Sequence, residues 1–263
     1  VIHEVDALDD PRVAAYADVG DPDRLRAAGL FVAEGRFVVR RLVEARRFEI
    51  HSVLVTPAAL REMLDVLDPA TWPVYAAPPR FLQQLTGFNF HRGCLALAHR
   101  GATLPVDAFV RARRLLALEG VGNPDNVGGL FRVAAAFGVG GVVLSHTSAD
   151  PFYRKAIRTS MGAVLRVPFT ITERWPDDLH TLRAGGMQAV ALTRDPRAPP
   201  LRDLVATLDA EARLVLMFGA EGPGLTRQAL AAADRLVRIP IADDVDSLNV
   251  VVAAGIALAA VTV

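Results

Sequence analysis

The sequence predicts an α/β protein of two domains, and three observations predict it. Short apolar runs alternate with amphipathic stretches, the alternation breaks and restarts across residues 101–105, and Ala, Val and Leu are abundant while aromatics make up only 6% of the chain. A strand covered on both faces reads as a continuous apolar run, whereas a surface helix repeats its apolar positions every three to four residues. At 263 residues the chain is long enough to bury a large core.

In the first part, residues 30–33, 36–47, 50–55 and 58–67 alternate as strand, helix, strand and helix. Residues 74–76, a short helical stretch near 81–85, and 94–98 continue the pattern into a small three-layer domain. Gly101 and Pro105 then interrupt it, and the basic run Arg111, Arg113, Arg114 follows. A break of that kind marks a linker, so the domains are predicted as 1–104 and 105–263.

From Leu115 the pattern restarts with a strand at 115–118, a helix at 127–137, a strand at 142–144, a Pro-led helix after Asp150 and a helix near 177–184. Strands at 189–192, 214–218 and 236–239 follow, with Pro199 and Pro200 breaking the chain between the first two. A last helix is expected from about Leu248, with Ser247 as its N-cap. Strands alternating with helices specify a parallel sheet. No Gly-x-Gly-x-x-Gly follows any of these strands, so a standard dinucleotide site has no support.

Composition narrows the function. Lys and Arg total 29 and Asp and Glu total 29, so the chain has no global basic field, and a nucleic-acid contact must come from local Arg clusters. Lys155 is the only lysine, and the Arg- and Ala-rich usage fits a GC-rich genome as well as phosphate binding. A single cysteine, Cys94, excludes an intramolecular disulfide and a cysteine-based zinc cluster. The six histidines show no paired spacing for one helix face, so no metal is expected. The apolar run 250–263 is too short for a membrane span and the N-terminus reads as no signal, so a soluble cytoplasmic protein is expected.

Four stretches carry chemistry: Asn123 to Gly128, Arg132, Phe218 to Gly224, and Ile239-Pro240 with Ser247-Leu248-Asn249-Val250. Most put glycine or polar residues just after a short apolar run, and ligands of open α/β sheets bind beyond such strand ends. Asn126 is expected in a turn before a helix, with Arg132 about two turns along it and able to grip a phosphate bidentately; a surface ion pair is its bland reading. The glycines of 219–224 free backbone N–H groups to wrap a polar ligand, and Glu221 stands where it can hold the Arg132 guanidinium. Pro240 ends a strand, and Ser247 explains itself as a cap. Asn249, polar in an otherwise apolar helix start, does not.

On these residues the chain resembles the SpoU, or TrmH-like, branch of the SPOUT RNA methyltransferases over roughly residues 112–263, and more weakly before that. Asn126 and Arg132 match the first motif, Gly219 to Gly224 the second, and Ile239-Pro240 with Ser247 to Val250 the third. The resemblance implies a C-terminal α/β trefoil-knot domain behind a smaller α/β RNA-binding domain like that of ribosomal proteins. It implies S-adenosylmethionine as methyl donor at Gly219, Ile239 and Leu248, with Leu192 and Gly224 beside them. It further implies transfer to a ribose 2′-hydroxyl by Arg132, Asn126, Glu221, Ser247 and Asn249, in a homodimer paired through the knotted domain. Ribosomal RNA is favoured as substrate over transfer RNA. A non-catalytic RNA-binding protein and a small-molecule methyltransferase are the rival readings.

Three further stretches belong to the resemblance. Arg158 to Ala163 looks like a family segment whose hydroxyl lines the substrate side, although Ser160 can equally bond its own backbone. Residues 31–35 look like the start of the RNA-binding domain, and His91-Arg92-Gly93 stands where relatives carry His-Gln-Gly. Arg36, Arg40 and Arg41 form either a phosphate-contacting patch or a solvated helix face.

Overall fold

The computed structural model describes residues 1–87 and 93–262 and divides into two compact units, Val1–Ala102 with Phe152–Arg166, and Thr103–Pro151 with Val167–Val263. His91 and Arg92 lie outside the described residues.

The first unit holds β1 (Ile2–Glu4), α1 (Pro22–Ala27), β2 (Leu30–Glu34), α2 (Arg36–Ala45), β3 (Ile50–Val55), α3 (Pro57–Met63), β4 (Val74–Ala76), α4 (Pro79–Thr86) and β5 (Cys94–His99). Its sheet is mixed, in the order β1-β4-β3-β5-β2, with β5 antiparallel to both neighbours. β2 is buried along its whole length, as its unbroken apolar run requires. Neither β1 nor α1 was legible in the sequence: three residues of strand carry no period, and α1 is announced only by Asp21, whose carboxylate caps it ahead of Pro22. The arginines of α2 are largely neutralised within the unit. Arg36 pairs with Glu62 at 2.5 Å and Arg40 with Asp65 at 2.5 Å, while Arg41 donates to the Met161 carbonyl.

The second unit runs β6 (Arg114–Leu118), α5 (Pro124–Ala136), β7 (Gly141–Ser145), then, after α6 (Arg154–Thr159) of the first unit, β8 (Phe169–Thr172), α7 (Leu179–Ala184), β9 (Gln188–Leu192), α8 (Leu201–Val205), β10 (Leu214–Phe218), α9 (Arg227–Ala232), β11 (Arg235–Val237) and α10 (Val250–Thr262). All six strands are parallel, in the order β11-β9-β10-β6-β7-β8. Central β6, β7 and β10 are wholly buried. β8 was missed because its Phe-Thr-Ile-Thr alternates polar and apolar residues, the pattern of an edge.

Helix α10 lies on α5 at close range, since a Cβ at Gly129 would sit 2.7 Å from Val251. Buried Arg114 fastens the other end of α10: its Nη2 donates to the Val261 carbonyl at 2.7 Å and its Nη1 to Ala212 at 2.5 Å. Among the described residues no helix is long and apolar enough to cross a membrane.

Candidate active site

The loop after β10 closes on itself. Gly224 N–H donates to the Ala220 carbonyl at 2.9 Å, and the two residues form an isolated bridge. The turn needs glycine at one position above all: a Cβ on Gly219 would lie 2.1 Å from the Gly224 carbonyl carbon and 2.2 Å from the Leu225 nitrogen. Both are backbone atoms, so no side-chain rotation relieves the clash.

Beyond the loop, Thr226 caps α9, and the buried Glu119 carboxylate holds that cap. It accepts from Thr226 N at 2.7 Å, Thr226 Oγ1 at 2.8 Å and Trp175 Nε1 at 2.9 Å. Glu119 also ties the start of the loop, its own N–H donating to the Phe218 carbonyl at 2.9 Å. Sequence reasoning overlooked it. The available signal was a carboxylate directly after the buried run of β6, where a charge persists only if it is hydrogen-bonded.

The segment after β11 forms a second wall. Arg238 anchors it, donating through Nε to the Ala198 carbonyl at 3.1 Å, and Leu201 N–H donates back to the Arg238 carbonyl at 2.8 Å. Helix α10 starts at Val250, two residues later than the sequence predicts, and Asn249 takes the capping role assigned to Ser247. Its Oδ1 accepts from Val251 N at 2.9 Å. Ser247 is exposed and faces the cavity instead.

Asn126 joins these elements. Helix α5 begins at Pro124, capped by Asn123, so Asn126 lies in its first turn and not in a preceding loop. It is buried, donates through Nδ2 to the Glu221 carboxylate, and accepts on Oδ1 from Asn249 Nδ2 at 3.1 Å. Three motif residues far apart in sequence thus form one chain, Glu221–Asn126–Asn249. Glu221 does not hold Arg132 as the sequence suggests; its carboxylate is occupied by Asn126.

A cavity of about 770 Å³ opens at the C-terminal ends of β9, β10 and β11. Leu192, Gly219, Gly224, Ile239 and Leu248 line it together with Glu221, Ser247 and Asn249. Its size is ordinary for a small-molecule site. Asn126 stands behind the wall. Arg132 is exposed on α5, outside the cavity lining, and has no hydrogen-bond or ion-pair partner among the described residues. At the rim, Arg194 Nη2 donates to the Gly222 carbonyl at 2.5 Å, and the Arg197 guanidinium holds the half-buried Asp195 carboxyl down to about 2. Ser160, in the first unit, is fully buried and donates to the Ile157 carbonyl at 2.9 Å, so its hydroxyl serves its own helix.

The arrangement offers apolar side chains for a flat or aliphatic group, backbone polar groups on a stiff glycine loop, and a hydrogen-bonded polar end. It positions; among the described residues no group of three or more His, Cys, Asp or Glu stands together to hold a metal.

Comparison with known proteins places the chain in a family. A model of the SpoU rRNA Methylase family matches residues 113–259. An uncharacterized tRNA/rRNA methyltransferase of Mycobacterium bovis is 39% identical over 261 residues, covering 97% of this chain and 90% of the relative. A 23S rRNA (guanosine-2′-O-)-methyltransferase of Burkholderia is 34% identical over 207 residues, 76% of this chain and 81% of that one. Among solved structures, an AdoMet-bound rRNA methyltransferase from Sinorhizobium meliloti superposes with a TM-score of 0.85 at 25% identity, covering 99% of this chain and 97% of the other.

Proposed function

The chain belongs to the SpoU rRNA methylase family, and from that premise we propose that it methylates a ribose 2′-hydroxyl in RNA, ribosomal RNA in preference to transfer RNA, using S-adenosylmethionine. The observation that carries this reading is the Glu221–Asn126–Asn249 chain, which ties all three motifs to the rim of one cavity. The preference for ribosomal RNA is supported by the Burkholderia relative, whose name specifies a 23S rRNA guanosine.

The cavity suits the cofactor. Gly219 and Gly224 expose backbone where side chains would intrude, and Leu192, Ile239 and Leu248 supply apolar contact. Bound S-adenosylmethionine supplies a methyl group activated on a sulfonium. The protein's part is to hold a ribose oxygen in line with it, and positioning of two reactants supplies roughly 7–11 kcal/mol of barrier reduction. Ser247 and Asn249 orient the sugar from the cavity rim, with Asn249 held by Asn126 and Asn126 by Glu221.

Arg132 grips the target phosphate and polarises the ribose oxygen. Its exposed place on α5 lies beside α10, whose Val252 is 51% and Ile256 40% exposed. These apolar residues support a two-fold dimer across the α5 and α10 layer, which brings each Arg132 to a partner's cavity. The trefoil threading belongs to the same proposal.

Titration of S-adenosylmethionine by calorimetry, followed by mapping of 2′-O-methylation on ribosomal and transfer RNA, tests the function. Failure of folded protein to bind the donor refutes it. Near-normal turnover of both Arg132→Lys and Arg132→Ala removes Arg132 from the mechanism.

A further inference from the structure

The loop after β9 contributes consecutive residues, Leu192 to Pro196, to the cavity lining, and one of them reaches across to the loop after β10. Arg194 Nη2 donates to the Gly222 carbonyl at 2.5 Å, while its Nε and Nη1 have no partner among the described residues. The loop behind it is well tied. Asp195 N–H donates to Thr193 Oγ1 at 3.2 Å, Ala198 N–H to the Asp195 carbonyl at 3.0 Å, and Thr193 N–H to the Val237 carbonyl at 2.9 Å. Arg194 therefore stands at the cavity on a preset backbone, with most of its guanidinium open.

The neighbouring Asp195 does not neutralise it. That carboxylate is taken by Arg197, through Nε at 2.9 Å and Nη2 at 2.7 Å. With this pair closed, the cavity lining keeps two cations, Arg194 and Arg238, and three carboxylates, Glu221, Asp243 and Asp246. Arg238 and Glu221 are committed to holding the wall, the first through Nε to the Ala198 carbonyl and the second to the Asn126 amide. One cation at the glycine loop and two carboxylates after β11 remain. S-adenosylmethionine bears the opposite set, one carboxylate and two positive centres, its ammonium and its sulfonium. A cavity wall of complementary charge favours such a ligand.

We propose that Arg194 recognises the carboxylate at the amino-acid end of the donor, the Gly222 contact holding its guanidinium ready for a charge-assisted hydrogen bond. The proposal rests on the donor reading above and adds a residue that lies in none of the three motifs. An arginine bound to a neutral carbonyl keeps its full charge, and its unused N–H groups still offer a planar edge to a carboxylate. Recognition of that group separates the whole donor from adenosine thioethers that lack it.

The test is calorimetric titration of S-adenosylmethionine and of decarboxylated S-adenosylmethionine, which lacks only that carboxylate, into wild type, Arg194→Ala, Arg194→Lys and Arg238→Ala. Loss of a contact between a screened surface pair and a buried charged hydrogen bond in strength weakens binding about 5- to 20-fold. The expected result is that loss for S-adenosylmethionine in Arg194→Ala, with no loss for the decarboxylated ligand and an unchanged melting temperature. Arg194→Lys, which keeps the charge without the fork, recovers part of the affinity. Equal losses for the two ligands in Arg194→Ala overturn the assignment, because Arg194 then acts only by bracing the loop at Gly222. No loss for either ligand overturns it too, as does a carboxylate-dependent loss in Arg238→Ala alone. A folded wild type that binds neither ligand refutes the donor reading beneath it.

Discussion

Replacing Gly219 by alanine adds one methyl group where three backbone atoms already stand, at 2.1, 2.2 and 2.4 Å. Carbon atoms pack comfortably at roughly 3.5–4 Å, so the loop or the end of β10 must move by about 1 Å or more. Nothing flexible lies in the way. Overpacking of this kind costs about 1–3 kcal/mol, and breaking the Gly224–Ala220 hydrogen bond adds about 0.5–1.5 kcal/mol. A loss of roughly 2–4 kcal/mol lowers the melting temperature of the second unit by about 4–16 °C. The same movement displaces the cavity wall, where a misplacement of about 1 Å is worth on the order of 10²-fold in rate. Gly222→Ala is the contrast. Gly222 has φ 84 but no atom within 4 Å of a Cβ, so it costs about 1–2 kcal/mol of backbone strain without filling the cavity. Calorimetric titration of S-adenosylmethionine alongside thermal melts reads both effects. Donor affinity and melting temperature both at wild-type values in Gly219→Ala would refute the reasoning.

Three other outcomes follow from particular contacts. Asn126→Ala strands the Glu221 carboxylate and the Asn249 amide, so turnover falls on the order of 10²-fold or more with stability down by about 1–3 kcal/mol; single-turnover methylation checks it, and wild-type rates would dissolve the proposed chain. Glu119→Gln replaces an acceptor of three hydrogen bonds by a group that must present an N–H to a donor, so donor binding weakens at least tenfold and the second unit loses about 2–4 kcal/mol; an unchanged melt and affinity would mean the cap does not position the loop. Burial pushes the Cys94 thiol up to about 12, so Ellman's reagent at pH 8 should find no reactive thiol in native protein and one per chain after denaturation; rapid native labelling would contradict its burial.

Legibility in the sequence followed burial. β6, β7 and β10, covered on both faces, read as apolar runs, and β10 was located to its end residues. β8 at the sheet edge, the three-residue β1 and the short α8 and α9 gave too little period to be found. The helix starts erred for a different reason. Both α5 and α10 begin with an asparagine cap, at Asn123 and Asn249, and each stretch offered another polar residue that satisfies the same capping rule. Local chemistry names the candidates, while the path of the chain chooses among them. The same distinction governs the site. Five glycine and apolar positions on the cavity wall were named through the family resemblance, but the partner of Glu221 could not be, because two polar groups 95 and 89 residues away in sequence, Asn126 and Arg132, lie on one helix and differ only in which side of it they occupy.

That difference of side carries a consequence for how the site is built. Asn126 faces inward from α5, and its amide presents a donor to Glu221 and an acceptor to Asn249 at once, a combination that neither a carboxylate nor a cation provides. It therefore locks the loop after β10 to the start of α10 within one chain. Arg132, about two turns further along, faces solvent on the same helix. A rigid α5 fixes the distance between the two. On the proposed function, a phosphate gripped by Arg132 is held in register with the wall that Asn126 supports, and the helix acts as the ruler between a cavity built inside one chain and a charge offered outside it.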